Sequence, residues 1–203
     1  MSVEAYLEER YPAAVEDLKA FCRIPSVSTD PAFIEGIRQA AAFVSERLKK
    51  AGFASVEMLE TGGHPAVYGE IIVDPGLPTY LVYGHYDVQP PDPLEKWQTP
   101  PFEPDERDGR LYARGVSDDK GPLLIPILVA EAFMRVEGRL PVNLKVLIEE
   151  RRSPAVRISR RRSPNIATSF AAIWCSRPTV RCGGRTSHPS PSQAAAWPPS
   201  MSP

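Results

Sequence analysis

The stretch Thr79-Tyr80-Leu81-Val82-Tyr83-Gly84-His85-Tyr86-Asp87-Val88 opens as a strand and closes on polar chemistry. Its first five residues are β-branched, aromatic or aliphatic, the composition of a half-buried strand. Working outward, Pro75-Gly76 marks a turn, and Ser55–Leu59 and Ala66–Val73 read as two earlier strands. Before them, Val3–Cys22 and Phe33–Ala51 read as helices. The first has Ser2 as N-cap, Glu4 in its first turn and a partial apolar face of Leu7, Val15, Leu18 and Phe21, with Pro12 expected to kink or divide it. The second places Ile34, Ile37, Ala41, Val44 and Leu48 at helical spacing, and Gly52 suits its left-handed cap. On the other side, a Pro-rich loop spans Gln89–Pro104, and Arg110–Ala113 is a short strand. Pro122–Val136 is a buried helix with Pro in its first turn, and Asn143–Ile148 is a further strand. Strands alternating with helices give an α/β class, a layered sheet with helices against its faces.

Two short motifs carry chemistry. If the strand conformation continues to Asp87, His85 and Asp87 point to one face. A metal-ligating imidazole needs its second nitrogen held, and a carboxylate two positions on can do that. A hydrogen-bonded surface pair would have the same spacing. The second motif is Arg114-Gly115-Val116-Ser117-Asp118-Asp119-Lys120-Gly121, which leads into the helix at Pro122. One carboxylate there could cap the helix, but two adjacent ones repel and favour a nearby cation. A histidine and two aspartates at one sheet edge would form a ligand set that suits zinc.

Composition bounds the alternatives. The chain has 203 residues, 42% hydrophobic and 24% charged, which is a globular composition. Three Cys and 23 Pro exclude a disulfide scaffold and a long coiled coil. The longest apolar run, Pro122–Ala130, is too short for a bilayer and contains Pro126, and Glu4, Glu8, Glu9, Glu16 and Asp17 are foreign to a secretory signal. A cytoplasmic protein with no membrane partner is expected. The net charge of −1 conceals a seam. Residues 151–203 hold nine of the 24 basic residues, all Arg, and none of the 25 acids, so residues 1–150 carry −10 and the remainder +9.

The run Gly84–Val88 is followed by Asp92-Pro93-Leu94-Glu95-Lys96-Trp97 and Pro100-Pro101-Phe102-Glu103-Pro104. Asp108-Gly109-Arg110-Leu111-Tyr112-Ala113-Arg114-Gly115 then leads into Ser117-Asp118-Asp119-Lys120-Gly121. Together these resemble the di-zinc metallopeptidase family of dipeptidases, glutamate carboxypeptidases and deacylases, and within it the cytosolic carnosinase-like dipeptidases. The likeness spans nearly all of residues 1–149. It implies the N-terminal part of a mixed-sheet catalytic domain with flanking helices, acting on small peptides, with two Zn2+ per site in the intact family and a homodimer as its usual assembly. The resemblance assigns His85 as a zinc ligand and Asp118 as the carboxylate bridging both metals. Asp119 follows Asp118 through a cis peptide, and the catalytic part of Asp87 is to orient His85.

The family pattern then breaks. Its strand near Ile148-Glu149 continues into a Gly and a Glu-Glu pair, general base and zinc ligand, at positions held here by Arg152 and Ser153. Arginine in a two-cation site would repel the metals. A later Asp ligand and a last His also have no counterpart. Taking the third base of each codon with the first two of the next makes Arg151–Ser159 compatible with Glu-Glu-Ser-Gly-Ser-Pro-Asn-Leu-Ala. The same shift over Ala172–Cys182 permits Asp-Leu-Val-Leu-Ser-Ala-Asp-Gly-Ala-Met-Trp. We therefore expect residues 151–203 to be an Arg/Ser/Pro-rich, disordered tail translated out of frame after a single-base slip near codon 150, with the lid or dimerisation domain absent and the truncated chain inactive. The nucleotide sequence at that codon decides this. A non-catalytic fragment that pairs with an intact homologue, or nucleic-acid binding through Arg151–Arg162, are the other classes the sequence allows. Co-purification and salt-dependent retention on RNA distinguish them.

The smaller signals read as structural. Cys175, Cys182 and His188 have poor metal-site spacing, Cys22 is a helix-face thiol, His64 sits in a turn, and Trp97 and Phe102 pin their long loop.

Overall fold

The computed structural model describes residues 1–61 and 63–150. Residues 151–203, with Arg152, Ser153, Cys175, Cys182 and His188 and the expected disorder of this stretch, lie outside them.

The Ser2 hydroxyl accepts the Ala5 N–H at 3.2 Å and starts α1, Val3–Cys22. Pro12 lies inside this helix without dividing it. Only Phe21 and Cys22 are fully buried, because the rest of the apolar face is half covered. The Asp30 carboxylate accepts the Ala32 N–H in a 3-10 turn, Pro31–Phe33, which feeds α2, Ile34–Lys50. Ile37, Ala41, Val44 and Leu48 are all buried, whereas Ile34, the first residue of the helix, stays 45% exposed. Gly52 takes φ +94° just past the end of α2, the left-handed conformation that glycine adopts without penalty.

Strands β1 (Ser55–Leu59), β2 (Ala66–Ile71), β3 (Thr79–His85) and β6 (Asn143–Glu149) form one mixed sheet in the order β1-β2-β6-β3. The β1–β2 and β2–β6 pairs are antiparallel, and β3–β6 is parallel. The parallel pair needs a crossover, and α3, Gly121–Val136, lies in that connection. Strand β2 stops at Ile71 rather than Val73 because the Val73 N–H leaves the ladder for Asn143 Oδ1 at 2.8 Å. That asparagine is nearly fully buried. Its oxygen also takes the Asp74 N–H, and its nitrogen donates to the carbonyls of Asp74 and Leu77, so that a β6 side chain holds the β2–β3 turn.

The helices pack on one face of the sheet. Val67 and Ile71 of β2, with Leu144, Val146 and Ile148 of β6, meet Ile37, Val44 and Leu48 of α2 and Leu123 and Ile127 of α3 in the core. Register places Val82 and Gly84 of β3 on that face, and His85, Tyr83, Leu147 and Glu149 on the other. Helix α3 is less enclosed than its sequence suggests, since Ile125 and Val129 remain exposed.

A small hairpin of β4 (Asp105–Arg107) and β5 (Arg110–Tyr112) was not fully foreseen. Its two-residue turn, Asp108 at φ 50° and Gly109 at φ 70°, is the left-handed pair for which Asp-Gly is suited. The Pro-rich loop before it is pinned as expected. The Trp97 Nε1–H donates to the Pro91 carbonyl, the Arg114 guanidinium lies over the Trp97 ring, and Phe102 packs against Phe33.

Candidate metal centre

The parallel strands β3 and β6 end side by side, with His85 opposite Glu149 and the Tyr86 N–H donating to the Glu149 carbonyl at 3.1 Å. The C-terminal edge of parallel strands is where α/β sheets present their sites. Strand β3 ends at His85, short of Asp87, yet the two side chains meet: His85 Nδ1 lies 3.0 Å from Asp87 Oδ1. The same nitrogen is 3.2 Å from the Asp87 carbonyl. Asp87 is 1% exposed, and the Ser28 hydroxyl donates to its Oδ2 at 2.6 Å.

The second motif arrives from the next crossover. Gly115, at φ +92°, opens a π-type turn over Val116–Lys120, inside which Asp118 departs from helical geometry (φ −144°, ψ 96°). The Asp118–Asp119 peptide is cis, in agreement with the family resemblance. Asp118 Oδ1 lies 3.0 Å from His85 Nε2, and 65% of the Asp118 side chain is exposed. Neither aspartate caps α3, which has no side-chain cap. Asp119 instead turns back, and its Oδ2 accepts the His85 N–H at 3.2 Å. This approach depends on Gly84, because a Cβ there would stand 2.8 Å from Asp119 Oδ2 and 2.9 Å from Leu123 Cδ1. The turn is anchored from below by Lys120, 0% exposed, whose ammonium donates to the carbonyls of Phe21 and Ile24 at the end of α1 and lies over the Phe21 ring. Burial lowers its pKa to about 8.

The electrostatics follow from this layout. The hydrogen bond to Asp87 raises the His85 pKa to about 8, against the opposing effect of burial. A neutral ring with its proton on Nδ1, toward Asp87, presents a bare Nε2 to a carboxylate oxygen 3.0 Å away. Two acceptors at that distance need a cation between them, either a proton or a metal ion. Two ligands of one tetrahedral zinc stand about 3.4 Å apart, so this pair is within a few tenths of an ångström of a fit. The donor set is nitrogen and oxygen, which zinc accepts. Among the described residues, no group of three or more His, Cys, Asp or Glu side chains is placed to hold a metal ion. Among the described residues, His85 Nε2 and Asp118 Oδ1 are the two facing donor atoms of this arrangement.

Sequence reasoning brought His85, Asp87 and Asp118 together, and the geometry joins them. It missed Ser28, Lys120 and the backbone-facing carboxylate of Asp119. It also missed Glu149, whose Oε1 accepts the Tyr83 hydroxyl while its buried Oε2 lacks a hydrogen-bond partner. His64 sits in its turn, its carbonyl accepting from the Thr61 hydroxyl. A cleft of about 590 Å3 between the Val27–Phe33 loop and the Pro-rich loop includes none of His85, Asp87 and Asp118.

Residues 81–151 match the sequence profile of Peptidase family M20/M25/M40. The Cys-Gly metallodipeptidase DUG1 of Candida albicans is 38% identical over 157 residues, 70% of this chain and 32% of that protein. Human carnosine dipeptidase 1 superposes with a TM-score of 0.68 at 34% identity, over 72% of this chain and 33% of the other. An M20 family metallo-carboxypeptidase from Sulfolobus solfataricus does so with a TM-score of 0.59 at 39% identity, over 67% and 30%. The chain thus spans about a third of the length of the relatives it matches. With the mixed sheet, the three helices and the His-x-Asp and Asp-Asp motifs in place, the N-terminal part of this chain belongs to the M20 peptidase family.

Proposed function

We propose that this fold derives from a zinc-dependent dipeptidase acting on dipeptides or related small amides, and that the 203-residue chain itself does not turn over. The observation that carries the reading is the convergence of His85 Nε2 and Asp118 Oδ1 at 3.0 Å, with Asp87 behind the ring. The dipeptidase names of the relatives support the substrate class.

His85 and Asp118 would hold zinc, with Asp87 fixing the ring. When bound, the metal supplies Lewis acidity toward a scissile carbonyl and acidifies water. The chain's own residues orient and hold. His85 would keep its proton on the Asp87 side, Asp118 lies open to solvent, and Asp119 and Lys120 fix the turn. Hydrolysis also needs a proton acceptor. The resemblance sets that acceptor at Arg152, which is not a base, and a further zinc ligand at Ser153. Two donors hold zinc weakly, which is the basis for expecting no turnover.

Two measurements test this. Purified chain with Cys-Gly or β-Ala-His and added zinc should release no amino acid, and turnover would refute the inactivity. Zinc at millimolar concentration should move the ring signals of His85 but not of His64, and Asp118→Ala should abolish the effect. An unchanged His85 signal would remove the metal centre.

A further inference from the structure

The loop after α1 does more than connect helices. Val27 forms a parallel bridge with Val88, the Ser26 carbonyl accepts the Val88 N–H at 2.8 Å, and the buried Ser26 hydroxyl donates to the Tyr86 carbonyl at 2.7 Å. This strip is laid along the segment that follows β3 and holds its backbone. Ser28 comes next, and its hydroxyl reaches a side chain instead, Asp87 Oδ2, at 2.6 Å. The two oxygens of the Asp87 carboxylate are thereby divided, Oδ2 to Ser28 and Oδ1 to His85 Nδ1. Ser28 is one grip on that carboxylate, and the angle at which Oδ1 meets the ring, with the Asp87 carbonyl 3.2 Å from the same Nδ1, bears on which ring nitrogen carries the proton.

We propose that Ser28 is a positioning residue: its hydroxyl sets the rotation of the Asp87 carboxylate, which keeps the His85 proton on Nδ1 and leaves Nε2 free to face Asp118. This rests on the peptidase reading only in taking Nε2 as the metal-facing atom. The sequence gap of 59 residues between Ser28 and Asp87 places the device outside both motifs.

The test is the tautomer of His85, read by long-range 1H–15N correlation on the full chain with labelled histidine. The sequence has only three histidines, which makes assignment by substitution direct. Spectra are taken across a pH series up to the point where the ring shifts stop changing, so that the ring is neutral. The unaltered chain should show the Nδ1–H form. In Ser28→Ala the ratio of Nδ1–H to Nε2–H should fall about fivefold, the effect of one hydrogen bond. Ser28→Thr, which keeps a hydroxyl, should restore the ratio. Ser26→Ala loosens the same strip without touching Asp87 and should leave the ratio unchanged. An unaltered ratio in Ser28→Ala, or an equal fall in Ser26→Ala, overturns the proposal. If the alanine chain does not fold, Ser28→Thr decides alone, and a folded threonine chain with a mixed ring is the overturning result. Zinc addition separates the two readings. A tautomer that shifts in Ser28→Ala while zinc leaves the unaltered His85 signal in place upholds the Ser28 role and removes only the metal.

Discussion

His85 is a titrating group whose partner can be removed. Its folded pKa, raised to about 8 by Asp87, means that folding favours the protonated ring. That contribution is fully present below the unfolded value of about 6.5 and disappears as pH rises through the folded one. Asp87→Asn should therefore lower the urea midpoint at about pH 6, and the gap from the unaltered chain should narrow by about pH 9, as paired denaturation curves would show. Cys22 offers a second single-residue check. Burial raises its thiol pKa to about 11, so little thiolate forms at neutral pH. In a Cys175→Ser, Cys182→Ser chain, the remaining thiol should react with a disulfide reagent at least about tenfold more slowly folded than in denaturant. At this scale the sequence disclosed His85, Asp87 and Asp118 because their types and spacing are local. Ser28 and Lys120 were hidden because each acts on a partner far along the chain, Asp87 and the end of α1.

The three helices are joined by a buried ion cluster. Glu131 of α3 accepts from the Tyr6 hydroxyl at 3.0 Å and Arg10 Nε at 3.4 Å, both on α1, and from Arg47 Nη2 of α2 at 2.7 Å. Asp17 binds Arg10 at 2.6 Å and lies 3.7 Å from Arg47. Arg47 is 4% exposed, so Glu131→Ala would leave a buried guanidinium with only the more distant Asp17, and a loss of about 3 kcal/mol in urea denaturation is expected. A loss below about 1 kcal/mol would mean that the cluster contributes orientation only. Burial alone would raise the Glu131 carboxyl, but hydrogen bonds from Arg47 and Tyr6 and the nearby positive charges outweigh it and hold the pKa below the usual value. A lowered carboxyl pKa gives stability that is complete above the unfolded value and fades as pH falls through the folded one. Acid unfolding of the unaltered chain should thus carry a Glu131 component that the alanine chain lacks. Element types were largely readable, since helical and strand periods are local. Boundaries moved where a distant side chain intervened, as when Asn143 drew the Val73 N–H out of β2. The β4 strand could have been inferred from Asp108-Gly109, a hairpin signal quoted within a motif but not used for structure.

For the whole molecule, the two-donor reading makes a thermal prediction. Ligand binding stabilises a fold by about 2.7 kcal/mol when the ligand is present at a hundred times its Kd. A site of only His85 and Asp118 should not approach that ratio, so zinc at about 0.1 mM should move the unfolding midpoint by less than about 1 °C. A rise of several degrees would show that further ligands complete the site. The fold class was legible because alternation of periods survives to Glu149 and stops there. The sequence reading found no ligand beyond Asp118, because the signals it used, the His-x-Asp and Asp-Asp spacings, are local.

The sheet order carries a consequence for how the chain assembles. Strands β2 and β3 are neighbours in sequence but are separated in the sheet by β6, and the turn between them is tied to Asn143 of β6. During synthesis β2 can pair with β1 at once, but β3 has no partner among the described strands until β6 has left the ribosome. The order of translation therefore delays closure of the central ladder, and for that interval the backbone of Tyr80-Leu81-Val82 is an open strand edge.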